Sequence, residues 1–172
     1  KTTTAHLIRA CLQADRRQVG LLGTIAYEFG GRRIPATNTT PDPVRIQGYL
    51  REMADRFASA CVMEVSSHSL DQDRVRGVRF ASAVFTNLTQ DHLDYHGTMA
   101  AYGAAKARLF DWPTLDAAVV NLDDPFGAAL FARLPAGLRA IGVSRQGASG
   151  AWLRAESLVL GAAGLQFDLC VD

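Results

Sequence analysis

The chain has 172 residues, 48% of them apolar, which is enough for the core of one domain or of one large domain with an edge piece of another. Its 18 basic and 17 acidic residues nearly balance, so the composition gives no reason to expect a nucleic-acid or membrane partner. No apolar run has the length of a membrane span. Cys11, Cys61 and Cys170 lack metal-ligand spacing, and we interpret them as buried thiols of a reducing compartment, which predicts a cytosolic protein.

The first predicted element is a helix that follows "KTTT" directly. Thr4, Ile8, Cys11 and Leu12 fall on one face of it. A Lys-Thr pair before an amphipathic helix is how a phosphate-binding loop ends, although the Gly-rich turn that cradles phosphate in such loops is not in this sequence. Lys1 and Thr2 therefore fit either the second half of a phosphate loop or an ordinary helix start.

Strand-like and helical segments then alternate. "VGLLGTIAYEF" is strand-like and turns back at Gly30-Gly31 into "RRIPA". Asp42 and Pro43 begin a helix as its N-cap and first residue, and the apolar stripe of that helix is Ile46, Leu50, Met53 and Phe57. The later predictions are strands at 60–65, 81–88, 116–122 and 138–143, and helices at 98–110 and 125–134.

This alternation predicts the fold class. Near-continuous apolar strands separated by helices are typical of an α/β protein with a mostly parallel, P-loop-type sheet and helices on both faces. After Val143 the sequence has short, Gly-punctuated strand-like stretches and no helical pattern. We expect these to form antiparallel strands at the C-terminal edge of the sheet.

Polar residues follow three of the predicted strands, at 64–68, 86–92 and 121–124. In open α/β sheets, ligands bind at the carboxyl ends of the strands. Glu64 could hold Mg²⁺, a hard ion that takes oxygen ligands and commonly shares them with nucleotide phosphates. It could equally cap the helix that begins at "SSH". Together with Lys1 and Thr2, the metal interpretation is favoured.

His92 lies in the polar stretch "DHLDYH", among Asp91, Asp94 and His96. This composition is compatible with a metal site, and a structural histidine is the alternative. Zinc is disfavoured because no Cys/His pair has ligand spacing. "TNTTPDP", before a predicted helix, offers hydroxyl and amide groups that could bind an anion or only form a turn and a cap.

Lys106 is unexpected in its helix. Met99, Tyr102, Leu109 and Phe110 form one apolar stripe, and Lys106 falls in the middle of it, with Arg108 opposite. Burial would lower the pKa of this lysine, and a neutral amine can react with carbon dioxide to give a carbamate. The alternative is a buried stem whose ammonium reaches water.

Taken in order, these motifs resemble the central ATP-binding domain of the Mur ligases, which build the peptide stem of the bacterial cell-wall precursor. The match runs through about Leu134 and comprises "KTTT", "ATNTTPD", "MEVSSHSLDQDRV", "TNLTQDHLDYHGTMAAYGAAKARLF" and "VVNLDDP". It is most similar to members that add the third amino acid to UDP-N-acetylmuramoyl-L-alanyl-D-glutamate. The resemblance implies that residues 1–172 are a central domain, separate from an N-terminal UDP-binding and a C-terminal amino-acid domain, and inactive alone.

The resemblance also implies roles for individual residues, with ATP and Mg²⁺ as cofactors. The catalytic residues would be Lys1, His92 and Lys106. The ATP-binding residues would be Lys1, Thr2, Thr3 and Asn121, and the magnesium ligands Thr2, Glu64, His92 and carbamylated Lys106. The muramoyl-dipeptide nucleotide would be held by Asn38, Thr39, Thr40, Ser66, Gln72 and Arg74. The second substrate would be a diamino acid, meso-diaminopimelate or otherwise L-lysine, and the protein a monomer.

Three other functions compete with this one. A folylpolyglutamate-synthetase-like ligase would share the chemistry, but "NTTPD" and "SSHSLDQDR" match the muramoyl-peptide ligases instead. A phosphate-loop switch or transport ATPase is a different class, and the sequence lacks the Asn-Lys-x-Asp stretch of guanine-specific switches. A module that only binds would leave Glu64, His92 and Lys106 without a shared purpose.

Overall fold

The computed structural model describes residues 1–162 and 164–172. They form two compact units, Lys1–Val78 and Arg79–Asp172, which are described separately. Within the described residues, no helix combines the length and the apolar character that crossing a membrane requires.

The first unit contains a four-stranded sheet with the order β3-β2-β1-β4. Its elements are α1 (Thr2–Ala14), β1 (Val19–Leu22), β2 (Ala26–Phe29), β3 (Arg32–Pro35), α2 (Pro43–Asp55), β4 (Ala60–Met63) and α3 (Ser67–Asp71). β1 and β4 are parallel, with Leu22 opposite Met63, whereas β1–β2 and β2–β3 are antiparallel. The carboxyl ends of β1 and β4 therefore meet at one edge of the sheet.

The core of the first unit lies between this sheet and α2. Leu22, Tyr27, Phe29 and Met53 are buried together. The predicted start of α2 is confirmed, since Pro43 is its first residue and the Asp42 side chain accepts a hydrogen bond from Arg45 N. Two predictions are wrong here. Phe57 lies beyond the end of α2, has a positive φ and is 86% exposed, and Cys11 is exposed on α1.

The second unit contains a five-stranded sheet with the order β5-β6-β7-β8-β9. Its elements are β5 (Ser82–Phe85), α4 (Leu93–His96), α5 (Met99–Ala107), a 3₁₀ turn (Arg108–Asp111), β6 (Ala117–Asn121), α6 (Pro125–Ala132), β7 (Arg139–Ser144), β8 (Leu153–Gly161) and β9 (Gly164–Val171). The first four strands are parallel, and β9 is antiparallel to β8. Phe85, Phe110, Val120 and Leu130 form the centre of the core.

The predicted α/β class is confirmed, with parallel pairing predominant. The strands form two sheets, one in each unit, where the sequence predicted one. The C-terminal region also differs in detail. β8 and β9 are long strands, β8 pairs parallel with β7, and only β9 is antiparallel. Several large apolar side chains of this hairpin are exposed, among them Val159, Leu160, Leu165, Phe167, Leu169 and Val171.

Candidate active site

Glu64 is a buried carboxylate at the edge where β1 and β4 end. Its side chain is held by three hydrogen bonds, and the residue is only 3% exposed. The Thr2 hydroxyl donates to Oε2 at 2.9 Å, the Thr24 backbone N–H donates to Oε1 at 2.9 Å, and the Thr24 hydroxyl donates to Oε2 at 3.1 Å. The structure thus brings Thr2 and Glu64 together, as the resemblance implied.

Thr24 is a site residue that the sequence analysis missed. It follows Gly23 directly after β1, at a carboxyl end of a parallel strand. The rule that directed attention to Glu64 applies equally to this position. The sequence hides it because "VGLLGTIAYEF" has the pattern of one strand, whereas the chain leaves β1 at Leu22 and enters β2 at Ala26.

Gly23 allows the close approach between the β1–β2 turn and the Glu64 carboxylate. A Cβ atom on Gly23 would lie 2.5 Å from Glu64 Oε1, a distance that real Cβ atoms essentially never show. Position 23 therefore tolerates only glycine while Glu64 keeps its present orientation.

Lys1 and Thr3 are exposed at the start of α1. Lys1 is the N-cap of this 13-residue helix, and Thr2 is its first residue. The N-terminus of a helix carries partial positive charge and unpaired N–H groups, which favour anions. The side chains of Lys1, Thr2 and Thr3 thus stand where a phosphate could meet a positive charge, hydroxyls and backbone donors.

The segment "TNTT" (residues 37–40) connects to Glu64 through two threonines. The buried Thr40 hydroxyl donates to the backbone oxygen of Glu64 at 2.8 Å and accepts from Ser66 N at 3.1 Å. Thr39 Oγ1 lies 3.1 Å from Thr24 Oγ1. The segment is therefore fixed to the same edge of the sheet as the buried carboxylate.

Arg74 and Gln72 extend this network. Arg74 donates through Nη1 to the backbone oxygen of Thr40 at 3.3 Å and through Nε to Gln72 Oε1 at 2.8 Å. Ser66 caps α3 by accepting from Ser69 N at 3.1 Å. The exposed Asn38 is tied by its backbone to the Tyr27 hydroxyl, which donates to Asn38 O at 2.7 Å. The six residues implied in dipeptide binding thus lie in the first unit, and Arg74 links Gln72 to the segment that is attached to Glu64.

In the second unit, the Tyr102 ring brings His92 and Lys106 together. Lys106 Nζ lies 4.7 Å from the centre of the ring, and the His92 ring meets it edge-on at 5.8 Å. His96 stacks on the same ring at 5.3 Å. Burial, together with the charge of Asp91, raises the pKa of Tyr102. In the sequence, Tyr102 is recognisable only as part of an apolar stripe, so this contact is not predicted.

Lys106 is half-buried, which fits the alternative of a partly buried stem better than a fully enclosed amine. Its amine reaches the ring of Tyr102. Lys1 and Lys106 are also the two lysines of the chain, and every other Lys/Arg position is arginine. Because arginine does not lose its proton in proteins, Lys106 is a side chain suited to amine chemistry.

His92 has an unusual backbone. Its φ of 55° and ψ of 27° place it in the left-handed region, directly before α4. A non-glycine residue in this region is strained, and such strain is found preferentially at functional sites. Among the described residues, four other non-glycine residues share a positive φ, one of them Phe57 beyond the end of α2, so this backbone conformation alone does not mark His92 as functional.

Asn121, at the end of β6, is engaged within the protein. Its Nδ2 donates to Thr86 O at 2.9 Å, and its Oδ1 accepts from Asp123 N at 3.1 Å. The side chain thus joins the ends of β5 and β6. A role near adenine stays a prediction.

The predicted metal ligands are divided between the units, with Thr2 and Glu64 in the first and His92 and Lys106 in the second. A cation shared by all four therefore stays a prediction. The carboxylate and hydroxyl oxygens of Glu64 and Thr2 are the donors that Mg²⁺ prefers. In the part of the chain that the structure describes, no three His, Cys, Asp or Glu side chains are grouped to hold a metal by themselves.

Comparison with known proteins gives consistent matches over the whole chain. A family model described as the Mur ligase middle domain matches residues 1–172. The UDP-N-acetylmuramoyl-L-alanyl-D-glutamate--2,6-diaminopimelate ligase of Xanthomonas campestris pv. campestris (strain 8004) is 50% identical over 169 residues, which cover 98% of this chain and 34% of that protein. The protein of the same name from Xanthomonas oryzae pv. oryzae (strain MAFF 311018) is 49% identical over 172 residues, which cover 100% of this chain and 35% of that protein.

A solved structure of a ligase with the same name superposes with a TM-score of 0.90 at 33% identity, covering 100% of this chain and 35% of that chain. The chain therefore spans about a third of the length of the proteins that it matches.

Proposed function

The chain belongs to the family of Mur ligase middle domains, and on that premise we propose that residues 1–172 are the central ATP-binding domain of a longer amide ligase. The rest of the ligase would supply the domains that hold the uridine end of one substrate and the incoming amino acid. Support comes from the relatives, which are about three times as long as this chain. The domain alone would be inactive.

We propose that the ligase joins meso-diaminopimelate to UDP-N-acetylmuramoyl-L-alanyl-D-glutamate in peptidoglycan precursor synthesis. The names of relatives that share about half of the aligned residues with this chain support this substrate pair over L-lysine. One structural observation carries the proposal. The buried Glu64 carboxylate accepts from Thr2, at the end of the phosphate-loop motif, and from Thr24, whose hydroxyl also contacts Thr39. The backbone oxygen of Glu64 accepts from Thr40 of the same "TNTT" segment.

ATP would be bound at the start of α1. Lys1, Thr2 and Thr3 are the residues proposed for its phosphates, and Asn121 for the region of its adenine. Thr2 and Glu64 would hold Mg²⁺, with His92 and carbamylated Lys106 as further ligands. Bound there, Mg²⁺ would offset the negative charge of the phosphate oxygens. The oxygen donors of the first unit fit that ion.

The muramoyl-dipeptide nucleotide would bind along the network around Thr40. Asn38, Thr39 and Thr40 offer backbone and hydroxyl groups on one segment, and Ser66 and Gln72 flank it. The Arg74 guanidinium is the positive charge of this set, and it can receive a carboxylate with two parallel hydrogen bonds. Its contact with Thr40 O places the segment and the charge side by side.

The proposed reaction has two steps. The glutamate carboxylate of the nucleotide attacks the γ-phosphorus of ATP, ADP leaves, and an acyl phosphate forms. The amine of diaminopimelate then attacks the acyl carbon, and phosphate leaves as the amide bond forms. Lys1 would stabilise charge on the transferring phosphoryl group, which is the main contribution that a protein makes to such a transfer.

Lys106 would act as a carbamate. Its ammonium first loses one proton. The neutral amine then adds to carbon dioxide, a C–N bond forms and a second proton is released, so that a positively charged side chain becomes an anionic oxygen ligand. His92 would lie beside it, as both side chains contact the Tyr102 ring. We further propose that the ligase is a cytoplasmic monomer, because its substrates include ATP and because all the roles above fall on one chain.

The test is a reconstituted reaction with the full-length ligase. ATP, Mg²⁺ and the muramoyl-dipeptide nucleotide are supplied with either meso-diaminopimelate or L-lysine, and ADP, phosphate and the amide product are measured. We expect amide formation with diaminopimelate at a stoichiometry of one ADP per bond. Product with neither diamino acid would overturn the proposed substrate class, and product with L-lysine alone would correct the second substrate.

A further inference from the structure

We propose that Thr24 is a positioning residue. It fixes the Glu64 carboxylate in the orientation that a metal ligand needs, and it couples that carboxylate to the "TNTT" segment through Thr39. The inference rests on the proposed function, because it requires Glu64 to be a magnesium ligand.

Thr24 contacts both oxygens of one carboxylate. Its backbone N–H donates to Oε1 at 2.9 Å, and its hydroxyl donates to Oε2 at 3.1 Å. Two donors from one residue oppose rotation about the terminal torsion of Glu64, which is otherwise a broad and soft torsion. Thr24 therefore determines which way the lone pairs of both oxygens point.

The Glu64 side chain has a further hydrogen-bond donor in Thr2. The Thr2 hydroxyl donates to Oε2 at 2.9 Å, and Thr2 is itself a proposed magnesium ligand. A hydroxyl that ligates a cation through a lone pair keeps its proton, so the Thr2 bond and the two bonds from Thr24 can hold Glu64 together. Residues that hydrogen-bond to a metal ligand in this way set its orientation and its basicity.

The Thr24 hydroxyl oxygen lies 3.1 Å from both Glu64 Oε2 and Thr39 Oγ1. A hydroxyl has one proton, and an ionised carboxylate is the stronger acceptor. The proton therefore goes to Glu64, and the Thr39 hydroxyl donates to Thr24. A substrate that engages Thr39 changes the electron density and the freedom of the hydroxyl that holds Glu64.

Gly23 makes this arrangement possible. Because a Cβ at position 23 would lie 2.5 Å from Glu64 Oε1, the absence of a side chain lets the Thr24 N–H reach the carboxylate directly. Gly23 thus leaves space for the Glu64 carboxylate, and Thr24 donates two hydrogen bonds to it.

The experiment measures Mn²⁺ binding to the full-length ligase by electron paramagnetic resonance, with a non-hydrolysable ATP analogue present. Thr24→Val and Thr24→Ala remove the hydroxyl, and Thr24→Ser retains it. The matched control is Thr114→Val, which removes a hydroxyl that donates to Phe80 O at 2.8 Å in the second unit. We expect Thr24→Val and Thr24→Ala to weaken Mn²⁺ binding by roughly 10- to 100-fold, the usual range for residues that support a metal ligand.

Thr24→Ser and Thr114→Val should bind Mn²⁺ like the wild type. The muramoyl-dipeptide nucleotide should change the Mn²⁺ affinity of the wild type and of Thr24→Ser, and leave that of Thr24→Ala unchanged. If one of the two hydroxyl-free variants does not fold, the other is compared with Thr24→Ser. Hydroxyl-free variants that bind Mn²⁺ like the wild type overturn the inference.

Glu64→Gln separates this outcome from failure of the proposed function. If the wild type does not bind Mn²⁺ with the analogue, or if Glu64→Gln binds it equally well, the metal role of Glu64 is wrong, and the role of Thr24 is wrong with it. If Glu64→Gln loses binding while Thr24→Ala retains it, the inference about Thr24 alone is overturned.

Discussion

The amine of Lys106 lies over the ring of Tyr102, with Nζ 4.7 Å from the ring centre. The face of an aromatic ring carries partial negative charge and attracts an ammonium. A carbamate is an anion and would be repelled from the same face. Carbamylation of Lys106 therefore requires the side chain to turn its new oxygens away from Tyr102, and a nearby cation would favour that movement.

Replacing Lys106 by alanine should abolish turnover of the full-length ligase while leaving it folded, since Tyr102 and Phe110 remain in the core. Acetate or formate, added with Mg²⁺ and both substrates, should restore part of the activity by occupying the vacated space as an anionic ligand. The control is Arg108→Ala, at an exposed position two residues further along. Near-normal turnover of Lys106→Ala without added anion would contradict the carbamate.

Replacing Arg74 by alanine should weaken binding of the muramoyl-dipeptide nucleotide more than binding of ATP. A charge-assisted hydrogen bond contributes roughly 1.5–3 kcal/mol, which is about 10- to 150-fold in affinity. Calorimetric titration of each ligand measures the difference, and Arg76→Ala, at an exposed position, is the matched control. Equal losses for both ligands would count against Arg74 as a dipeptide-binding residue.

Replacing Gly23 by alanine should displace the Glu64 carboxylate, because the new Cβ would lie 2.5 Å from its Oε1. We expect loss of activity and of Mn²⁺ binding, with little change in the content of secondary structure. The control is Gly48→Ala, inside α2, where a Cβ meets nothing within 4 Å. That change should stabilise the protein by roughly 0.5–1 kcal/mol. A fully active Gly23→Ala ligase would show that the orientation of Glu64 is unimportant.

Acid should weaken the second unit through Asp123. Burial tends to raise the pKa of this carboxyl, but hydrogen bonds from Ser144 Oγ and from the N–H groups of Arg145 and Gln146 outweigh it, and the pKa is lowered overall. The ionised form therefore stabilises the fold. Its contribution is complete above the pKa of an unfolded aspartate, about 4, and is lost as the pH falls through the lower pKa of the folded state.

Hydrogen exchange of a peptide spanning 139–146, corrected for the intrinsic effect of pH, measures this loss. Asp123→Asn should show less protection than the wild type at neutral pH and a smaller decrease in protection below pH 4. Asp168→Asn, at an exposed position on β9, is the control. Identical pH profiles for the wild type and Asp123→Asn would exclude this carboxylate as the source of the acid sensitivity.

The sequence predicted most of the elements because their signals are local. The turn at Gly30-Gly31 is confirmed between β2 and β3, and Asp42 and Pro43 begin α2 as expected. Glu64 was identified because it follows an apolar strand. Phe57 was misassigned because helical spacing continues past the point where α2 ends at Asp55. The spacing of apolar residues does not reveal where a helix ends when no glycine follows it.

The missed features depend on contacts between distant segments. Thr24 acquires its importance from Glu64, 40 positions away, and only the parallel pairing of β1 with β4 brings the two together. Tyr102 has the sequence pattern of an ordinary core residue because its ring fits the apolar stripe of its helix. Its contact with His92 depends on how the chain turns before α4. The division of the strands into two sheets likewise depends on strand pairing, which the period of each strand does not encode.

The β8–β9 hairpin has a practical consequence for handling the polypeptide. β9 is an edge strand of its sheet. Along the hairpin, the side chain of Leu160 is 76% exposed and that of Leu169 is 61% exposed. An open strand edge beside exposed apolar side chains is the usual starting point for strand-to-strand association and precipitation. A recombinant polypeptide limited to Lys1–Asp172 is therefore expected to scatter light and to elute early on gel filtration. Leu169→Lys, which places a charge among these exposed side chains, should reduce both effects.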